Sequence, residues 1–213
     1  MIRKTIISIS IILFLTFCTN YSPLLNPDPD ELNQKCPDKY KAEFTTSKGV
    51  FTIEVNREWA PKGADRFFYL VDNGFYDNVK FFRVLKGFVA QFGAHGDTSV
   101  AKVWRNLSFP DDPVKQSNLR GMVTFAAGQQ PDSRTTHIFI NYGNNSKLDQ
   151  MRFAPFGKVI SGMETIDSLY ADYGEGTPFG QGPDQAKISM EGNKYLEREF
   201  PKLDYIIKAV IKE

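Results

Sequence analysis

The sequence predicts a mainly β domain: a closed, eight-stranded antiparallel barrel capped by two α-helices. Three observations carry that expectation. Short runs in which apolar and polar residues alternate with period two recur along the chain, the pattern of half-buried strands. Neither a βαβ alternation nor an internal repeat accompanies them, and a sheet closed on itself leaves no exposed edge. Finally, Phe occurs 18 times in 213 residues, enough to fill the inside of such a sheet with aromatic rings.

Composition narrows the class of function. Hydrophobic residues make up 41% and charged residues 24%, ordinary values for a folded globular chain. Lys and Arg number 26 against 25 Asp and Glu, so no field of one sign exists to grip nucleic acid, and none is expected as a partner. Two cysteines exclude a disulfide scaffold, and two histidines are too few for a histidine-rich metal site. No metal and no cofactor are expected.

Along the chain, residues 1–17 read as a signal peptide. Arg3-Lys4 forms a basic head, and an apolar run from Ile6 to Phe17 follows, broken only by Ser8, Ser10 and Thr16. The run falls short of the roughly 20 residues of a membrane span. Its end, Leu15-Thr16-Phe17-Cys18, resembles a bacterial lipoprotein signal, which implies lipidation of Cys18; Phe17 departs from the small residue usual there. Residues 18–39 are expected to be a lipidated Cys and an extended tether, because Pro23, Pro27, Pro29 and Pro37 deny backbone donors. The folded domain is then 40–213.

Within it, Lys41–Thr46 and Val50–Asn56 alternate on either side of Gly49 and predict a hairpin. Pro61 opens a helix that Gly74 ends, with Ala64, Phe67, Phe68 and Val71 as its apolar stripe. Strand-like runs follow at Val79–Leu85, Phe88–Phe92, Met122–Ala127, His137–Asn141 and Pro155–Ile160. Met163–Tyr170 reads as the second helix. Ala186–Glu191 and Asp204–Ile211 are further strands, with a short charged helix at Asn193–Glu199 between them. Ala94–Arg120 and Asn141–Pro155 exceed ordinary loop lengths and are expected to be functional surface.

The block with the most chemistry is Phe81-Phe82-Arg83-Val84-Leu85-Lys86-Gly87-Phe88-Val89-Ala90-Gln91-Phe92-Gly93. A single Arg among apolar side chains is either paired or turned toward a ligand, since burying it alone is costly. A second block, Gly121-Met122-Val123-Thr124-Phe125-Ala126-Ala127, precedes Arg134-Thr135-Thr136-His137-Ile138-Phe139-Ile140-Asn141. Leu148-Asp149 and Pro155-Phe156-Gly157-Lys158-Val159 come next.

In this order and spacing the blocks resemble the cyclophilin family of peptidyl-prolyl cis-trans isomerases over roughly Ala42–Ile160. The resemblance implies a cyclophilin-like barrel and names Arg83 as the catalytic residue. It places Phe88, Val89, Gln91, Ala126, His137, Phe139, Leu148 and Phe153 on the substrate. His137 stands where the family carries Gln, Phe82 where it often carries His, Ala127 where it carries Asn, and Lys147 where many members carry Trp. An active enzyme with altered sequence preference is expected; the alternative is a non-catalytic module that holds proline-containing segments or serves as a surface interaction protein.

The chemistry of the residues agrees. Rotation about an X–Pro amide breaks resonance and crosses a barrier of about 18–20 kcal/mol. No nucleophile or metal is required, only a donor that binds the twisted bond better than either planar form. Expected partners are proline-containing peptides and unfolded exported proteins, met by a monomer held to a bacterial membrane through its lipid, facing the periplasm or cell surface. His137 beside Arg83 is expected to charge between pH 7.5 and 5.5 and to lower activity over that range. The glycine-rich Gly174-Glu175-Gly176 and Gly180-Gln181-Gly182 follow a helix rather than a strand, which speaks against a phosphate cradle.

Overall fold

The computed structural model describes residues 22–212. The signal segment 1–17 and Cys18 lie outside the described residues. The first hairpin forms where the alternation puts it: β1 (Lys39–Thr46) and β2 (Gly49–Asn56) are antiparallel, with Ala42 opposite Ile53 and Phe44 opposite Phe51. Gly49 closes the turn at a φ of +129°, a conformation that only glycine adopts without strain.

Helix α2 (Pro61–Asp72) starts on its proline and buries Ala64, Phe67, Leu70 and Val71. The Phe67 ring meets Phe44, Tyr76 and Phe156, and Phe44 stacks on Phe51 with centroids 4.8 Å apart. The interior is thus largely aromatic, and each such ring contributes roughly 1.5–3 kcal/mol by leaving water.

The remaining strands are β3 (Arg83–Leu85), β4 (Val89–Phe92), β5 (Met122–Phe125), β6 (Ile138–Asn141), β7 (Pro155–Ser161) and β8 (Ile206–Lys212). They form one curled antiparallel sheet of eight strands in the order β3-β4-β6-β5-β7-β2-β1-β8. Continuous closure is where expectation and structure differ. Val79–Phe82 does not extend β3. Along the seam between the end strands, the single antiparallel bridge Lys80–Tyr205 takes the place of a ladder. Hydrogen bonds from Phe81 N to Asp204 O (2.9 Å) and from Ile206 N to Val79 O (2.8 Å) flank it.

Six α-helices occur among the described residues, against the two capping helices and the short charged helix at Asn193–Glu199 expected from the sequence; the last of these forms with the expected bounds. Helix α4 (Met163–Asp167) follows β7 as expected, but it is shorter. Helix α3 (Thr98–Trp104) lies inside the long excursion after β4; Asp97 caps it by accepting from Ser99 N (2.7 Å), and Val100 and Trp104 are buried. The segment read as a strand at Ala186–Glu191 is helix α5 (Gln185–Glu191), capped by Asp184 through Ala186 N (2.7 Å). With α6 (Asn193–Glu199) it builds a second small core of Ile188, Tyr195, Leu196, Phe200 and Leu203 against Phe82.

The expected tether is also more than an extended strap. Helix α1 (Pro29–Leu32) interrupts it, and Leu24 and Leu32 pack on the main core. Trp104 Nε1 donates to Leu24 O (2.9 Å) and Tyr69 Oη to Pro23 O (3.3 Å). Cys36 is buried as a free thiol, and burial, with Asp65 accepting nearby, pushes its pKa up to about 12. Apolar anchors at Leu24, Leu32 and Cys36 outweigh the prolines.

Candidate active site

Strand register assembles the site. Arg83 on β3 stands opposite Gln91 on β4, Gln91 opposite Phe139 on β6, and Phe139 opposite Thr124 on β5. Residues directly across neighbouring strands share a face, so Arg83, Gln91 and Phe139 form one row on the sheet. The tight β3–β4 turn then brings Phe88 against Arg83, whose Cζ lies 5.6 Å from the ring centroid. Asn145 fixes this turn from outside: its Nδ2 donates to Phe88 O (2.8 Å).

All the residues singled out in the sequence meet in one open cleft of about 510 Å³: Arg83, Phe88, Val89, Gln91, Ala126, His137, Phe139, Leu148 and Phe153. Phe139 and Phe153 pack edge to face with centroids 5.7 Å apart, and with Phe88 and Leu148 they give the cleft an apolar cup. Ala126, just past β5, donates its backbone N–H to His137 O (2.8 Å), so that group is already in use, while the Ala126 side chain lines the wall.

The polar side is built around Arg83. Its Nη1 donates to Gln91 Oε1 (3.1 Å), and Gln91 is itself buried. Its Nε and Nη2 each donate to one oxygen of Glu175, both at 2.6 Å. The Arg83 hydrogen bonds outweigh the burial that would raise the Glu175 pKa, and hold its carboxyl below the usual range.

His137 corrects an expectation. Its ring sits on the cleft floor beside Phe82, with centroids 5.3 Å apart. Although the residue keeps some surface open to the cleft, packing encloses the imidazole, and this desolvation alone lowers its pKa to about 4. With its pKa at about 4 the ring is expected to be neutral from pH 7.5 to 5.5, which speaks against the charging switch.

That shift has a consequence for stability. An unfolded His titrates near 6.5, so between about pH 6.5 and 4 the unfolded chain binds the extra proton and stability falls as pH drops. The His137 share reaches on the order of 3 kcal/mol; His95, also lowered first by burial, adds to the same slope. Denaturant melts at pH 7.5, 5.5 and 4.5 should show His137→Gln flattening part of the slope, with parallel activity curves for variant and wild type above pH 5.5. A variant curve that diverges from wild type between pH 7.5 and 5.5 would restore the switch.

Two residues with a place in the site escape sequence reasoning. Glu175 comes from the glycine-rich loop between α4 and α5 and is set apart only by glycines on both sides. Asn118 lies fully buried behind the cup. Its Nδ2 donates to Asp149 Oδ1 and to Phe153 O, both at 2.8 Å, and its Oδ1 accepts from Thr124 Oγ1 (2.8 Å) and Asn141 Nδ2 (3.3 Å). Burial tends to raise the Asp149 pKa, yet the bonds from Ser117 and Asn118 outweigh it and hold the group low.

A curled eight-stranded antiparallel sheet thus carries an arginine, a glutamine and a phenylalanine in one row beside an aromatic cup. The chain belongs to the cyclophilin-type peptidyl-prolyl cis-trans isomerase family, described as "Cyclophilin type peptidyl-prolyl cis-trans isomerase/CLD", which matches residues 41–190. Peptidyl-prolyl cis-trans isomerase A of Dickeya dadantii is 33% identical over 136 residues, covering 59% of this chain and 68% of that protein. Peptidyl-prolyl cis-trans isomerase-like 3 of Homo sapiens is 35% identical over 128 residues, covering 58% and 78%. The fold matches a Cryptosporidium parvum cyclophilin type peptidyl-prolyl cis-trans isomerase crystallised in the presence of the dipeptide Ala-Pro. That match has a TM-score of 0.59 at 23% identity and covers 81% of this chain and 99% of that one.

Proposed function

We propose that this isomerase rotates X–Pro bonds in exported or envelope proteins, with Arg83 as the group that selects the twisted state. In a planar amide the prolyl nitrogen shares its lone pair with the carbonyl; at the top of the barrier the nitrogen is pyramidal and the pair is localised. A fixed donor aimed at that nitrogen gains strength only there, and such differential binding is what accelerates a reaction. Phe88, Phe139, Leu148 and Phe153 take the pyrrolidine ring, Val89 and Ala126 line the flanking peptide path, and Gln91 holds the guanidinium.

The observation that carries this reading is the row of Arg83, Gln91 and Phe139 across three paired strands. The Ala-Pro dipeptide present with the Cryptosporidium relative supports a proline peptide as ligand. A protease-coupled assay on a proline tetrapeptide tests it: the uncatalysed phase lasts tens to hundreds of seconds, and the protein should shorten it in proportion to its concentration. An unchanged slow phase would leave a binding module on this fold.

Membrane attachment through Cys18 belongs to the same proposal, on the strength of the signal-like run before it. The bonds at Pro23 and Leu24 shorten the slack in this attachment. From Cys18 to Pro23 an extended chain reaches at most roughly 18 Å, so the domain works close to the lipid surface. Cys18→Ser should move the protein from the membrane to the soluble fraction. A variant that still sediments with membranes and retains residues 1–17 identifies a signal anchor instead.

A further inference from the structure

The path of the glycine-rich loop between α4 and α5 is closely determined. Gly182 N donates to Glu175 O (2.8 Å), and Gly180 N to Gly176 O (3.1 Å). A Cβ on Gly180 would overlap the Glu175 carbonyl oxygen, and one on Gly182 would stand 2.9 Å from it. Gly174 enters the loop at a φ of +66°, in the left-handed region that disfavours side chains. These glycines wrap the backbone of one residue, Glu175. That residue sends its carboxylate 92 positions back along the chain to Arg83.

We infer that Glu175 is a positioning residue for Arg83, held in the cleft by this loop. The inference rests on the reading of Arg83 as the donor to the prolyl nitrogen. Glu175 takes the Nε edge of the guanidinium with both oxygens at 2.6 Å, and its Oε1 is steadied by Gly176 N (2.9 Å). Gln91 takes one Nη1 hydrogen. A guanidinium has five N–H groups in a rigid plane. With three engaged, one hydrogen on Nη1 and one on Nη2 remain for a substrate, and the plane that carries them is fixed on two sides.

Without Glu175 the arginine keeps Gln91 and the Phe88 ring, but it can turn about its terminal torsions. A misplacement of about 1 Å is enough to cost up to two orders of magnitude in rate. The pair is partly exposed, with side-chain exposures of 19% for Arg83 and 32% for Glu175, so its contribution to folding is small. The effect should therefore fall on turnover and not on stability.

The experiment measures kcat and KM of the full chain on a proline tetrapeptide for wild type, Glu175→Ala, Glu175→Gln and Glu175→Asp, with thermal melts of each. Glu175→Ala and Glu175→Gln should lose about tenfold in kcat with KM within twofold and an unchanged melting point. Glu175→Asp should recover part of the loss. In an Arg83→Ala background Glu175→Ala should have no further effect on turnover, because the guanidinium it positions is gone. A kcat equal to or above wild type in Glu175→Ala overturns the inference, the latter marking an inhibitory contact. A full additional loss in the Arg83→Ala background also overturns it, marking a purely structural role. A wild type with no activity would instead remove the reading of the site beneath it, so the two failures are distinguishable.

Discussion

Arg83→Ala should lower kcat/KM for a proline tetrapeptide by two to three orders of magnitude while the domain still folds. Removing one preorganised donor to a developing charge or lone pair costs about 2.7–4 kcal/mol of transition-state stabilisation, which corresponds to that loss at about 1.36 kcal/mol per tenfold. The structural side of the change is mild. The Arg83 side chain is 19% exposed and its Glu175 partner 32%, so the ion pair contributes at most about 1 kcal/mol to stability. Gln91, buried but lining the cleft, loses one bond at 3.1 Å. Arg83→Lys is the sharper variant: it keeps the charge but loses the planar fork that meets Glu175 at two points, so it should recover little activity. A melting point near wild type together with a near-normal rate in Arg83→Ala would overturn the mechanism.

What the sequence reveals of this molecule follows from how local each determinant is. The β1–β2 hairpin declares itself because alternation, turn and core face lie within 18 consecutive residues. The cleft is equally readable on β3, β4 and β6, where residues in short ordered blocks become neighbours by simple pairing. The segment at Ala186–Glu191 misleads for a physical reason. Ala186, Ile188 and Met190 repeat with period two, yet only Ile188 is buried and Met190 is 66% exposed; the cap at Asp184 outweighs that pattern. Helix α3, started by the cap at Asp97, lies inside a stretch expected to be a long functional loop. Glu175 lies beyond any local signal, since its role depends on a loop returning over the sheet. His137 could be placed in the cleft from sequence, but its protonation depends on three-dimensional enclosure beside Phe82.

Asn118 offers a test of how the cup keeps its shape. It is fully buried, and its amide uses all four of its hydrogen-bonding positions. Two of these hold the ends of one wall: Asp149, which follows Leu148, and the carbonyl of Phe153. Asn118→Ala leaves the Phe153 carbonyl without this donor and the Thr124 hydroxyl without its acceptor, and weakens the hold on Asp149. Each buried group left unsatisfied costs about 1–3 kcal/mol, so the loss should total roughly 3–5 kcal/mol, or about 10 °C in melting point for a domain of this size. Activity should fall through a raised KM rather than kcat, because Leu148 and Phe153 hold the proline ring while Arg83 stays clamped by Gln91 and Glu175. Asn118→Asp is the companion variant: it keeps the shape but sets a second carboxylate against Asp149, and should destabilise at least as much at pH 7. Melts and steady-state rates of both variants decide it. Unchanged stability, or a loss confined to kcat, would mean that the wall is held by its own packing and not by this network.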